Sequence, residues 1–312
     1  MQKKIATYFS LAIIVLFIVY IVYDTVSDKN NSEYNRTSEI SAEPVANWSI
    51  AETLEIPFGT LKSICLSDKN MIFVGGENFL TAFNKNDLSV LWNISTANGI
   101  YALSVYGDTI YAASGQTISL YNINGNFIEE WGSYDEEAII TSISSSKNFV
   151  AFADARNKII FVLNKDGSLK YFFGQPGNQF VVPSSYFDVS FYGEDTLLVA
   201  NPGKQQIEYR TISGEIISSF GEAGFDLENF CGCCNPSHFA LMPDGKIVTA
   251  EKGINRIKII SAKGELMELV AHSNLFKANI PLDIAVSNDG DIYAANGYDS
   301  KLYKFTRNVT KQ

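Results

Sequence analysis

The sequence predicts an all-β protein: a six-bladed β-propeller preceded by one N-terminal transmembrane helix. Three observations lead to this fold. A pattern of short strands recurs six times, each copy has a small residue at the same place, and one apolar segment lies at the N-terminus. After Tyr23 no segment has sustained helical periodicity, so strands and turns account for the rest of the chain.

The apolar segment at the N-terminus comprises residues 5–23 and contains no charged side chain. A helix of that length just spans a bilayer core. Lys3 and Lys4 precede the segment and Asp24 follows it, so the positive-inside rule places residues 1–4 in the cytoplasm. A cleaved signal peptide is the competing interpretation, but its apolar region is shorter and ends at small residues. We expect an uncleaved signal anchor, with the propeller periplasmic or extracellular.

The remaining chain divides by composition into three parts. Residues 24–46 are polar with few large apolar groups, and we expect them to form a flexible tether. The repeats occupy residues 47–306, and residues 307–312 form a short C-terminal tail.

The repeat is recognised by a small residue at the end of a β-rich segment. Successive copies are spaced 38 to 50 residues apart, which is typical of a four-stranded propeller blade. Six copies therefore predict six blades. The small residues are Gly75, Ala113, Ala153, Ala200, Ala250 and Ala295.

Closure of the ring follows from a strand that the last copy lacks. The sixth copy ends after its third strand, whereas residues 48–56, before the first copy, form a strand without a partner. We expect this N-terminal segment to supply the outermost strand of the sixth blade. The ring then has no open sheet edge at its closure point.

Charge and motifs exclude several functions. The chain has 24 basic and 34 acidic residues, a net charge of −10, which argues against nucleic-acid binding because that needs a basic face. It contains no P-loop, no HExxH, no GxSxG and no dinucleotide fingerprint. The sequence therefore favours a protein that is not an enzyme.

The least ordinary segment is Phe-Cys-Gly-Cys-Cys-Asn-Pro-Ser-His, residues 230–238, which we call the Cys loop. It links the fourth blade to the fifth, on the propeller face that also carries the loops between the second and third strands of each blade. The candidate site residues of the loop are Cys231, Cys233, Cys234 and His238. The candidates that line the same face are Asp154, Asn201, Glu251, Lys252, Arg256 and Asn296.

Three interpretations of the clustered cysteines stay open. Thiolates bind Zn(II), Cu(I) or iron–sulfur clusters, although C-x-C-C matches no standard four-ligand spacing and the fourth ligand would be distal, with His238 nearest. Alternatively, two cysteines pair and leave a third thiol beside Lys252 for redox chemistry. In the third interpretation a disulfide only rigidifies the loop. Glu251 and Lys252 are either a solvated ion pair at a blade end or part of this site.

The blade ends resemble NHL repeats. The residues that carry the resemblance are Asn255-Arg256-Ile257 followed by Lys263-Gly264, and the closing pairs Phe173-Gly174 and Phe220-Gly221. The resemblance implies a six-bladed propeller in a family that ranges from binding scaffolds to lyases. Such lyases hold a metal through several channel histidines, whereas this chain has only two, His238 and His272.

Together these observations predict a membrane-anchored binding or assembly module. Its partner, a protein or a small ligand, would bind the face that carries the Cys loop. The alternative is a metal- or thiol-dependent enzyme, or an electron-transfer accessory protein, that uses the same face. The residues leave the cofactor unknown; a metal ion or an iron–sulfur or redox centre at Cys231–Cys234 is the candidate.

Overall fold

The computed structural model describes residues 15–19, 46–174 and 179–308. The chain divides into two units, residues 1–43 and residues 44–312.

In the first unit, residues 15–19 are helical. Within the described ranges, no helix combines the length and the apolar character that a bilayer crossing requires. The predicted span of residues 5–23 and the predicted tether of residues 24–46 lie almost entirely outside the described residues.

The second unit is a ring of four-stranded antiparallel sheets, and the predicted six-bladed propeller is confirmed. Strand β1 is Trp48–Glu55. The first three blades comprise β2 Leu61–Leu66, β3 Met71–Gly76, β4 Phe79–Asn84 and β5 Val90–Ser95; β6 Ala102–Tyr106, β7 Thr109–Ser114, β8 Thr117–Asn122 and β9 Phe127–Trp131; β10 Ile140–Ser145, β11 Phe149–Asp154, β12 Ile159–Asn164 and β13 Leu169–Phe173.

The other three blades follow the same order from the central channel outward, and a short 3-10 helix, Pro202–Lys204, lies in the fourth. Their strands are β14 Val189–Phe191, β15 Thr196–Asn201, β16 Gln206–Thr211 and β17 Ile216–Phe220; β18 His238–Leu241, β19 Ile247–Ala250, β20 Ile257–Ile260 and β21 Leu266–Ala271; β22 Leu282–Val286, β23 Ile292–Asn296 and β24 Lys301–Arg307.

The ring closes as the sequence predicts. Strand β1 pairs antiparallel with β24, from Trp48 opposite Arg307 to Glu55 opposite Lys301, and becomes the outermost strand of the sixth blade. The first strand of the propeller unit and its last strand therefore lie in one sheet.

Among the described residues the core is divided into six clusters, one in each interface between neighbouring blades. Each second strand contributes side chains to both of its interfaces because successive residues of a strand point to opposite faces of the sheet. The repeated small residues are the last or the last but one residue of these second strands and are buried. A Cβ atom on Gly75 would lie 2.6 Å from Ser63 Oγ and 2.7 Å from Ile100, so the chain approaches too closely there for a side chain.

One face of the ring carries the features that the sequence singles out. It holds the loops between second and third strands and the links from each blade to the next, and we call it the link face. The first residues of the inner strands meet there around the central channel.

Candidate functional site

The central channel opens on the link face into a cavity of about 620 Å³. This volume lies in the range of about 300–1,000 Å³ that ligand pockets occupy. Its wall is largely apolar, and its polar side chains include Lys62, His238 and Asp283. The apolar wall includes Leu61, Tyr101, Ile139, Tyr186, Ile280 and Pro281.

His238 lies at this channel mouth, between two carboxylates. Its Nδ1 atom is 3.6 Å from Asp188 Oδ2 and 3.6 Å from Asp283 Oδ1. Both carboxylates are fixed by backbone donors: Asp188 accepts from the Phe239 amide at 2.8 Å, and Asp283 accepts from the Ile64 amide at 2.9 Å. The three side chains come from the fourth, fifth and sixth blades and form a rigid polar group beside an apolar wall.

The charges of this group depend on one another. Burial opposes a charge on the His238 imidazole, but the interactions with Asp188 and Asp283 outweigh that effect and raise the pKa of His238. Burial raises the pKa of Asp283 to about 6, and the charge of His238 offsets part of this rise. The His238 imidazole therefore keeps its added proton to a higher pH than an ordinary histidine, and its N–H groups are available as hydrogen-bond donors.

Protonation of His238 is directly measurable, since the chain has only two histidines. We expect an NMR titration to give His238 a pKa above its ordinary value of about 6.5, and Asp283→Asn to lower it because a neighbouring anion is removed. The variant His272→Gln assigns the two imidazole signals. A pKa of His238 below the ordinary value in the unmodified chain would show that burial dominates.

The same group sets the sign of one pH effect on stability. A raised His238 pKa stabilises the fold below about pH 6.5, and this contribution is lost as the pH rises through the folded-state value. The raised pKa of Asp283 acts in the same direction at lower pH, because between about pH 4 and pH 6 the unfolded chain ionises this carboxyl while the fold still keeps it protonated. This cluster therefore favours the folded state less as the pH rises from about 4 to the folded-state pKa of His238.

The Cys loop lies beside the loop between β19 and β20, where the sequence predicts it. The Cys231 amide donates to Glu251 Oε2 at 3.3 Å. Asn235 accepts from the Lys252 amide at 2.6 Å and donates to the Lys252 carbonyl at 2.8 Å. The Lys252 Nζ atom lies 4.9 Å from the centre of the Tyr186 ring, which lines the channel-mouth cavity. Tyr186 thus connects the Cys loop with the cavity.

Glu251 is neither solvated nor paired with Lys252, which corrects the first of the two interpretations of this pair. Its carboxylate is buried and lies 2.9 Å from Arg256 Nε and 3.2 Å from Lys258 Nζ. Burial lowers the pKa of Lys258 to about 8, and the charge of Glu251 opposes this shift. The buried trio is a structural element beneath the Cys loop.

The other face candidates have a repeated structural role. Asp154 Oδ1 accepts from the Ile139 amide at 3.1 Å, and Asn201 Oδ1 accepts from the Val181 amide at 2.9 Å. Glu251 accepts a hydrogen bond from the Cys231 amide in the same way. In three consecutive blades, therefore, the side chain at the end of the second strand binds the backbone of the segment that arrives from the preceding blade. Asn296, at the corresponding place in the sixth blade, accepts from the Tyr298 amide at 3.0 Å. These side chains are buried and shape the face from below.

The structure separates the residues that a metal site would need. His238 turns to Asp188 and Asp283, while Cys233 Sγ and Cys234 Sγ contact each other at 3.1 Å. In the described ranges, no three His, Cys, Asp or Glu side chains converge into a group that could hold a metal ion. His238 therefore contacts the channel carboxylates, and a metal or iron–sulfur cluster on the Cys loop stays a prediction.

Sequence reasoning missed Asp188 and Asp283, although the repeat contains a signal for them. The last three copies of the repeat begin Asp188-Val-Ser-Phe, His238-Phe-Ala-Leu and Asp283-Ile-Ala-Val, each twelve residues before the small residue that marks its copy. Aligning these copies places two carboxylates and an imidazole at one position of neighbouring blades. Equivalent positions of adjacent blades lie side by side around the channel, so the alignment predicts their contact.

The fold and this face define the class of protein as a six-bladed β-propeller with an apolar channel mouth. The family described as CPSF A subunit region, a propeller family, matches residues 68–182 of the chain. No curated protein sequence matches the chain significantly.

Solved structures share the fold at low sequence identity. The WD40 β-propeller domain of Doa1 is 14% identical with a TM-score of 0.60, covering 83% of this chain and 97% of that one. A streptogramin B lyase is 14% identical with a TM-score of 0.61 and the same coverage. A catalytically inactive variant of virginiamycin B lyase from Staphylococcus aureus, with quinupristin, is 15% identical with a TM-score of 0.58, covering 83% and 99%. At these identities the likeness shows the fold alone.

Proposed function

We propose that this chain is a binding module whose link face receives a partner protein. The observation that supports this proposal is the cavity at the channel mouth. It combines an apolar wall with the rigid polar group of His238, Asp188 and Asp283. An apolar side chain of the partner enters the cavity, and the Cys loop and Tyr186 form its rim. A small ligand that fills the same cavity is the alternative.

The proposal includes the membrane anchor inferred from the sequence. Residues 5–23 hold the module at a membrane with residues 1–4 in the cytoplasm, and the NHL-like propeller lies on the outer side. The absence of basic patterning and the net charge of −10 suit a partner that is not a nucleic acid. Release of the full chain from membranes by alkaline extraction would contradict the anchor.

A photo-crosslinking amino acid at Ser185 tests the binding face. Ser185 is exposed and lines the cavity, so we expect crosslinks to a defined partner, or a discrete mass adduct if the ligand is small. Tyr101→Ala removes an apolar part of the wall and should reduce the yield about tenfold, which corresponds to ~1.4 kcal/mol of binding free energy. The yield is measured by mass spectrometry of the full chain.

Two controls make this experiment specific. Lys147 is exposed in the turn between β10 and β11, on the opposite face, and should give no such crosslink. Phe127→Ala removes an aromatic side chain that is more exposed than Tyr101 but lies on outer strand β9, so the Ser185 yield should not change. Equal yields from Ser185 and Lys147 would show that the link face has no special role.

A further inference from the structure

The Cys loop places two adjacent thiols in contact. Cys233 is exposed, Cys234 is buried, and their Sγ atoms are 3.1 Å apart. Cys65 is buried on β2, in the first blade. One accessible thiol with a second directly behind it is the arrangement that thiol–disulfide exchange requires, since the first sulfur is attacked or attacks from outside and the second completes the reaction.

The loop is held so that the pair keeps this arrangement. On one side Asn235 exchanges hydrogen bonds with both the amide and the carbonyl of Lys252. On the other side the Gly232 carbonyl accepts from Gln205 Nε2 at 2.8 Å. Gly232 has φ +84°, a conformation that side-chain-bearing residues rarely adopt, so the turn before Cys233 depends on glycine.

The surroundings assign different roles to the two thiols. Burial raises the pKa of Cys234, and its contact with Cys233 adds to this effect, whereas the nearby charge of Lys252 lowers the pKa. The contact of its sulfur with Cys233 Sγ at 3.1 Å, and not its acidity, suits Cys234 to the second, intramolecular step. Cys233 is the thiol that a molecule from solution meets first.

We propose that Cys233 and Cys234 form a thiol–disulfide exchange site for a small-molecule or peptide disulfide. The Cys233 thiolate attacks one sulfur of the incoming disulfide, forms a mixed disulfide and releases the first thiolate, which takes up the proton lost by Cys233. Cys234 then attacks Cys233 Sγ and releases the second thiol, which takes up the proton of Cys234. Two electrons pass from the cysteine pair to the substrate disulfide, and the reverse reaction passes them back.

The position of the pair suggests where its substrate comes from. Lys252 lies beside Cys234 and over the ring of Tyr186, which lines the channel-mouth cavity. A partner seated on the link face would present a disulfide at this rim. This choice of substrate rests on the proposed function, whereas the reactivity of the pair does not.

Oxidised glutathione tests the thiol chemistry without any partner. The full chain is reduced, freed of reductant and incubated with oxidised glutathione; the reaction is quenched with acid, and the remaining thiols are alkylated and mapped by peptide mass spectrometry. We expect the chain to lose two alkylatable thiols, Cys233 and Cys234, and to retain no glutathione. Cys234→Ser should stop after the first step and keep one glutathione on Cys233.

Further variants keep the test decisive. Cys233→Ser removes the accessible thiol, so oxidation should slow by at least about tenfold. Cys65→Ala is the matched control and should react like the unmodified chain. Stable glutathione adducts on the unmodified chain, a bond through Cys231 or Cys65, or no oxidation at all would overturn the proposal. Because this readout is independent of crosslinking from Ser185, failure of the exchange site is distinguishable from failure of the proposed binding face.

Discussion

Glu251→Gln is expected to lower the free energy of unfolding by about 3–5 kcal/mol, because removing one partner of a buried ion pair leaves an uncompensated charge. The Glu251 carboxylate contacts Arg256 at 2.9 Å and Lys258 at 3.2 Å, and the three side chains are 0–3% exposed. Glutamine of the same shape leaves two cations in the interior. Urea denaturation followed by fluorescence of the three tryptophans measures the loss.

The expected loss depends on pH in a defined way. The pKa of Lys258 is lowered to about 8 in the fold, and Glu251 acts against this shift. Without the carboxylate the folded-state pKa falls further, so the variant sheds the Lys258 proton at a lower pH. A lysine whose pKa is lower in the folded state than in the unfolded state makes the free energy of unfolding rise as the pH passes the folded-state pKa. In the variant this rise begins at a lower pH than in the unmodified chain. The difference between the two proteins should therefore shrink as the pH rises towards 8.

A surface ion pair supplies the control for this prediction. Glu137 lies 3.2 Å from Arg156, and the two side chains are 71% and 58% exposed. Exposed pairs contribute little, so Glu137→Gln should change the free energy of unfolding by less than about 1 kcal/mol. If Glu251→Gln costs no more than Glu137→Gln, the buried trio does not have the structural role that its burial indicates.

The buried trio also shows how far the sequence alone could be taken. Blade number and closure were predictable because a small residue recurs at one place and the last copy lacks a strand. The neighbourhood of Cys231 and Glu251 was predictable as well, since the repeat register places both on one face. The burial of Glu251 was not predictable from the sequence. Its partner Lys258 lies on β20, and only the packing of the blades shows that the Lys258 side chain points towards Glu251.

His238 shows where proximity along the chain and proximity in the fold differ. It is four residues from Cys234 in sequence, which suggested a shared metal site. Strand β18 begins at His238, and its side chain turns into the channel, towards Asp188 and Asp283 of the neighbouring blades. Proximity along the chain is a poor guide where a loop ends and a strand begins, whereas the repeat alignment identifies the right neighbours.

Trp48→Ala is expected to lower the free energy of unfolding by about 3–5 kcal/mol, the usual cost of truncating a large buried side chain. Trp48 begins strand β1, is 7% exposed and packs in the core between the fifth and sixth blades. Its indole Nε1 donates to Glu268 Oε2 at 2.8 Å, on β21 of the fifth blade. One side chain thus joins the closing strand to two blades, and its loss weakens closure as well as packing.

A matched variant in the same strand separates these contributions. Ile50 also lies on β1 and pairs with Phe305 of β24, but it is 37% exposed, so Ile50→Ala should cost no more than about 1 kcal/mol. Limited proteolysis measures closure: in Trp48→Ala, strand β1 should detach before the rest of the ring unfolds, and cleavage should occur first near residue 56. Two outcomes would contradict this prediction: an equal loss of unfolding free energy in the two variants, or cleavage that begins in another blade. Either would mean that Trp48 contributes only surface contacts and that the backbone pairing of β1 with β24 closes the ring.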